Sequence, residues 1–131
     1  MSFKSDMARA TRKIEQAHNQ IVRTATIDLF SGTIRDTPVD TGRARGNWVT
    51  QVGTPAQGVI ARDDTSGAAA IAEVIAKTPE GAGQETTMAN SLPYIDRLEY
   101  GYSQQAPSGM VRRNLARVQR IVQAAISKFR V

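Results

Sequence analysis

Apolar residues in the first third of the chain recur at alternating steps of three and four: Met7, Ala10, Ile14, Ala17 and Ile21. That spacing brings their side chains onto one stripe of an α-helix. Ala25 and Leu29 continue the stripe while Ile27, Phe30 and Ile34 widen it, so the second half of the helix is expected to be buried more completely than the first. Pro38 ends it, because proline donates no amide hydrogen and disfavours helical geometry at Thr37. That is a long helix, roughly 45 Å.

A second periodic segment closes the chain. Val111, Leu115, Val118, Val122, Ala125 and Phe129 repeat at four, three, four, three and four residues, predicting a C-terminal helix that starts near Ser108. Between the two lie shorter signals. Trp48-Val49-Thr50-Gln51-Val52 has the bulky, β-branched content of a strand, and Gly53-Thr54-Pro55 punctuates it. Val59-Ile60-Ala61 reads as a second strand, expected to pair antiparallel with the first across the turn residues around Pro55 and Gly58. Asp63 to Ser66 offer N-caps for an alanine-rich helix over Ala68 to Ala76, closed by Thr78-Pro79. Glu80 to Gln84 reads as a loop, Glu85 to Asn90 as a third strand, and a short helix follows Pro93 with Gly101 past its end. The expected fold is a single α+β domain over 1–131, with a small antiparallel sheet, long N- and C-terminal helices and a short middle helix.

With three Phe, three Tyr and one Trp, the core must rest on aliphatic residues and alanine. So thin a core suits a subunit that completes its stabilisation against neighbours. The formal charge is +5 and the pI about 10.1, favouring anionic partners such as nucleic acid or acidic protein surfaces. Without cysteine there is neither a disulfide framework nor a thiolate metal site. Met1 to Asp6 lack an apolar signal core, and no run reaches the roughly 18 apolar residues of a membrane span. The expectation is a soluble protein without a membrane partner.

The residues that could carry catalysis have simpler uses. His18 is the only histidine and has no carboxylate at the neighbouring helical positions; a surface residue is the better reading. Asp36 and Asp40 flank Pro38, where turn and capping roles account for them. Asp63-Asp64 suits a charged turn and helix start. Gly81-Ala82-Gly83 lacks the spacing of a phosphate-binding loop and no lysine follows it. Ser103 and Ser108 lack a nucleophile elbow. No enzyme and no cofactor is expected.

The basic residues are more distinctive. After Glu99 the chain has no acidic residue, yet Arg112, Arg113, Arg117, Arg120, Lys128 and Arg130 all occur. Arg113, Arg117 and Arg120 recur at four and three residues, a cationic stripe beside the apolar one. Arg112, Arg113, Arg117 and Arg120 are therefore candidates for contact with DNA or an acidic neighbour, with a solvated helix face as the plainer alternative. No aromatic residues interleave with them for base stacking.

Two segments stand apart: Thr37-Pro38-Val39-Asp40-Thr41-Gly42-Arg43-Ala44-Arg45-Gly46-Asn47-Trp48, and Asn90-Ser91-Leu92-Pro93-Tyr94-Ile95-Asp96-Arg97-Leu98-Glu99-Tyr100-Gly101, the latter running on into Ser103-Gln104-Gln105-Ala106-Pro107-Ser108-Gly109-Met110-Val111. Physically, Thr41 or Asp40 can cap a turn, Gly42 and Gly46 permit unusual backbone angles, and Trp48 can anchor the strand after it. Pro93, Gly101 and Pro107 fix the chain's course before the last helix, where Ser108 can serve as N-cap. In this order the segments resemble the minor tail, tail-completion or neck proteins of long-tailed phages, which pair a Pro-Val-Asp-Thr-Gly turn with later Pro-Tyr, Leu-Glu-Tyr-Gly and Gln-Ala-Pro-Gly-Met elements. Ser108 inside the last element and Ile95 after Pro93-Tyr94 depart from that pattern. The resemblance implies a virion structural protein at the head-tail junction, forming a ring, six copies by tail symmetry, around the DNA passage and touching connector and tail proteins. It implies scaffold roles for Pro38, Asp40, Thr41, Gly42, Trp48, Pro93, Tyr94, Glu99, Gly101, Pro107 and Gly109. The rival expectation, from charge alone, is a basic nucleic-acid-binding module.

Overall fold

A computed structural model of the chain describes residues 2–81, 83–100 and 109–130. Its axis is α1, Phe3–Asp36, a helix of 34 residues and so roughly 51 Å long. Ser2 caps its start, its hydroxyl accepting the Ser5 N–H at 3.2 Å. It ends at Thr37, whose backbone turns extended ahead of Pro38. Burial follows the expected gradient: residues 3–16 are exposed, Ala17 is the first buried position, and Ile34 is fully buried.

Around α1 the chain forms α2 (Arg43–Gly46), β1 (Trp48–Val52), α3 (Ala68–Lys77), β2 (Thr86–Asn90), α4 (Ile95–Glu99), α5 (Met110–Leu115) and α6 (Val118–Lys128). The sheet has two antiparallel strands, with Trp48 opposite Asn90 and Val52 opposite Thr86. The fold is thus mixed helix and sheet, as the patterning predicts. The core gathers Ile34, Trp48, Ala70, Val74 and Met110, with Ile27 and Phe30 packed against it. One residue each from α1, β1 and α5 and two from α3 therefore close a single small core.

Two expectations about the elements are corrected. Val59–Ala61 is not a strand and forms no hairpin with Trp48–Val52; that strand pairs instead with Thr86–Asn90. Side chains hold the intervening segment: the Ile60 N–H donates to Asn47 Oδ1 at 2.8 Å and the Gly58 N–H to Ser91 Oγ at 3.1 Å. β-branched composition marks an extended chain, whereas a ladder also needs a partner edge. The C-terminal segment is two helices rather than one, broken at Ala116-Arg117. No proline or glycine stands there. Asn114 Nδ2 donates to Met110 O at 2.7 Å, taking an acceptor of the helix ladder, and the Arg117 N–H then closes a tighter bond to Asn114 O at 3.0 Å. Leu115 and Val118, flanking the break, stay exposed despite their apolar spacing.

Candidate functional site

The two distinctive segments meet in space. Pro38, Asp40 and Thr41 of the first face Tyr94 and Leu98 of the second across an open hollow of about 280 Å³. Asn90 ties them together, its Nδ2 donating to Ala44 O at 2.8 Å.

Within the first segment, each anchor has a physical task. Gly42 has φ 85°, and its carbonyl accepts both the Gly46 and the Asp64 N–H at 2.9 Å. A side chain there would be strained in backbone and would press on Asp64 and Thr65. Gly46 is different from the expectation: its backbone is helical, and it must be glycine because the Arg62 backbone passes where a Cβ would stand. The Thr41 hydroxyl accepts the Arg43 N–H at 3.4 Å, while Asp40 is exposed. Trp48 is buried, and its Nε1–H donates to Thr37 Oγ1 at 2.8 Å; that hydroxyl in turn donates to Thr33 O at 2.7 Å. The strand is thereby anchored to the end of α1.

The second segment closes on the start of α5. Glu99 Oε1 accepts the Val111 N–H at 2.7 Å, and Oε2 accepts the Arg112 N–H at 2.9 Å and Nε–H at 3.0 Å. A carboxylate from another helix therefore caps α5, satisfying amides that its own turns cannot. Gly109 sits at the N-cap position with φ 79°, and a Cβ there would overlap Glu99 O and press on its carboxylate. The expected Ser108 cap, and Gly101 and Pro107, lie outside the described residues. Pro93 and Tyr94 lead into the short α4, with Tyr94 as its N-cap position.

The arginine candidates are mostly engaged within the chain. Arg112 bonds Glu99, including its carbonyl, and lies 5.0 Å from the centre of the Tyr100 ring. Arg113 Nε and Arg117 Nη1 stand 3.9 and 3.7 Å from Asp36 Oδ2, which also accepts from Asn114 Nδ2 at 2.9 Å. Asp36 is thus an anchor between the end of α1 and the C-terminal helices, rather than a turn residue. Arg120 has no hydrogen bond or ion pair among the described residues.

Sequence spacing gives no sign of the other polar hubs. Arg45 donates from Nε to Thr37 O and from Nη2 to Arg35 O, covering carbonyls left open at the end of α1, and from Nη1 to Thr65 O ahead of α3, all at 2.7–2.9 Å. Arg62 donates to Gly46 O, Trp48 O and Glu73 Oε2. Arg23 reaches Ile75 O and Thr78 O at the end of α3. Much of the positive charge therefore serves the fold. Asn47, the one such residue with a local clue, sits between a glycine and the anchoring tryptophan, is buried, and bonds Ile60 and Arg43.

His18 is exposed on α1. Asp64 is buried and its carboxylate accepts the Ala70 N–H at 2.9 Å, the helix-start role expected of it. Among the described residues no group of three or more His, Asp or Glu could hold a metal, and no helix is long and apolar enough to cross a membrane. An open groove of about 760 Å³ lies between the middle of α1, Glu80-Gly81 and Phe129 and mixes Arg12, Glu15, Arg23 and Glu80.

What remains unsatisfied is surface. α6 runs back along α1 and covers it as far as Ala17, beyond which Phe3, Met7 and Ile14 are 80%, 51% and 60% exposed. The first 14 helical residues span roughly 21 Å as an arm whose apolar stripe meets nothing among the described residues. No family model, no curated protein and no solved structure matches the chain.

Proposed function

We propose that this chain is a structural subunit of a tailed phage particle, a tail-completion or neck protein that assembles as a ring at the head-tail junction, and that it acts by assembly rather than by catalysis. The observation carrying this reading is the arm: residues 3–16 hold a regular apolar stripe on a helix that no element covers among the described residues. An exposed stripe of that kind marks a protein–protein surface, and a ring requires such a patch to meet a different patch on the next copy. The ordered Pro38-to-Trp48 and Asn90-to-Met110 segments support the placement at the junction through their resemblance to tail-completion proteins. Their residues serve as turns, caps and anchors, which suits a scaffold. Six copies would match tail symmetry, with connector and tail proteins on the two ring faces and genomic DNA passing through.

The alternative of a nucleic-acid-binding module has less support, because Arg112, Arg113 and Arg117 already share intramolecular carboxylates. The arm provides the test. A chain lacking residues 2–14, supplied to particles that have no other copy, is expected to fold and yet fail to enter them, leaving heads and tails separate. Normal incorporation of the shortened chain would refute the arm as the assembly surface.

A further inference from the structure

The hydrogen-bond phase of the sheet can be read from one bond beyond its end. The Gly53 N–H donates to Glu85 O at 2.7 Å, so in an antiparallel ladder Gln51 with Thr87, and Val49 with Ala89, exchange bonds. Trp48 and Thr50 on β1, and Thr86 and Met88 on β2, then direct their backbone groups away from the pair. On β1 two of those groups are bonded: the Thr50 N–H donates to Glu73 Oε1 at 2.9 Å, and Trp48 O accepts from Arg62 Nη2 at 2.8 Å. On β2, the outward groups of Thr86 and Met88 have no partner among the described residues. The strand itself carries no edge protection, since Thr86-Thr87-Met88-Ala89-Asn90 has no charge and no proline and its register has no bulge. Beside it opens an apolar cavity of about 120 Å³ lined by Leu29, Phe30, Trp48, Met88, Val111 and Leu115.

The same chain holds a strand-like segment without a ladder. In Val59-Ile60-Ala61, the Ile60 N–H is used by Asn47. The backbones of Val59 and Ala61, which alternate to the other side in extended chain, have no hydrogen bond among the described residues. The Val59 side chain is 46% exposed.

We infer that Val59–Ala61 of one copy adds as a third strand to the outer edge of β2 in the next copy, with Val59 directed at the apolar cavity beside Met88. Strand addition of this kind takes affinity from main-chain bonds and selectivity from a side-chain pocket. Donor and acceptor are different segments, so each copy gives on one side and receives on the other, the heterologous contact that a closed ring needs. The inference rests on the ring reading and names one of its interfaces.

The chain has no cysteine, which makes a direct test clean. Particles would be assembled with Val59→Cys/Met88→Cys, or with Ala61→Cys/Thr86→Cys as an independent pair, and oxidised with copper phenanthroline. Neighbouring strands bring such residues within disulfide reach. The expected result is a non-reducing gel ladder of covalent multimers that ends at the ring's copy number and requires both substitutions. Joined particles that contain the ring but give only monomer with both pairs would overturn the strand addition and leave the ring reading standing. Links between like positions, 59 to 59, would also overturn it, as a symmetric contact. Particles that join heads to tails without this protein would remove the ring reading itself.

Discussion

Replacing Glu99 with alanine isolates whether the second distinctive segment is scaffold. Its carboxylate holds the Val111 and Arg112 backbone amides at 2.7 and 2.9 Å, and its side chain is only 12% exposed. Loss of a helix cap costs about 0.5–2 kcal/mol, and charge-assisted bonds to amides left without a partner add about 1–3 kcal/mol. The Arg112 side chain is 49% exposed, so its ion pair adds at most about 1 kcal/mol. Glu99→Ala is therefore expected to destabilise by about 2–4 kcal/mol, a fall in Tm of roughly 6–15 °C for a domain of this size. Glu99→Gln keeps one acceptor oxygen and should fall between that variant and the parent, and Arg112→Ala should cost no more than about 1 kcal/mol. Thermal unfolding followed by circular dichroism at 222 nm reads all three. A Glu99→Ala shift under about 2 °C would refute the capping account.

Three further outcomes follow from the geometry. Gly46→Ala forces a Cβ into the Arg62 backbone and should cost about 2–3 kcal/mol, whereas Gly81→Ala, with open space around it, should leave Tm unchanged; equal behaviour of the two would contradict the close approach. Removing residues 2–14 takes away only exposed helix, so Tm should move by no more than about 2 °C while the helical signal falls in proportion; a cooperative loss of the whole fold would show that the arm is part of the core. Arg113→Ala with Arg117→Ala should change stability by about 1 kcal/mol or less, and free-state affinity for duplex DNA should be weak before and after, as titrations at several salt concentrations would show. A strong affinity whose salt slope drops by about two on this change would restore the nucleic-acid reading.

The elements written in local patterns were legible in the sequence. Three–four spacing gave α1, Pro38 gave its end, and the aromatic Trp48 at the head of a β-branched run gave the anchored strand. Elements that depend on distant partners were not. Trp48–Val52 pairs with Thr86–Asn90 across more than thirty intervening positions, and nothing local distinguishes that edge from Val59–Ala61. The apolar repeat after Ser108 conceals the break, because Asn114 disturbs the ladder through a side chain anchored on Asp36. The arginines misled for the same reason: their acidic partners, Glu99 and Asp36, lie before the region where negative charge runs out. Glycine likewise marks a tight place without saying which kind, a left-handed turn at Gly42 or a passing backbone at Gly46.

We propose that this chain works as a repeated subunit where head meets tail. Electron cryomicroscopy of intact particles tests it most directly, with particles made without the protein as the reference. A ring of density at the junction that fits the α1 rod and its small sheet is expected, lost in the reference together with head-tail joining. Joined particles in the reference, or density for this chain elsewhere than the junction, would contradict it.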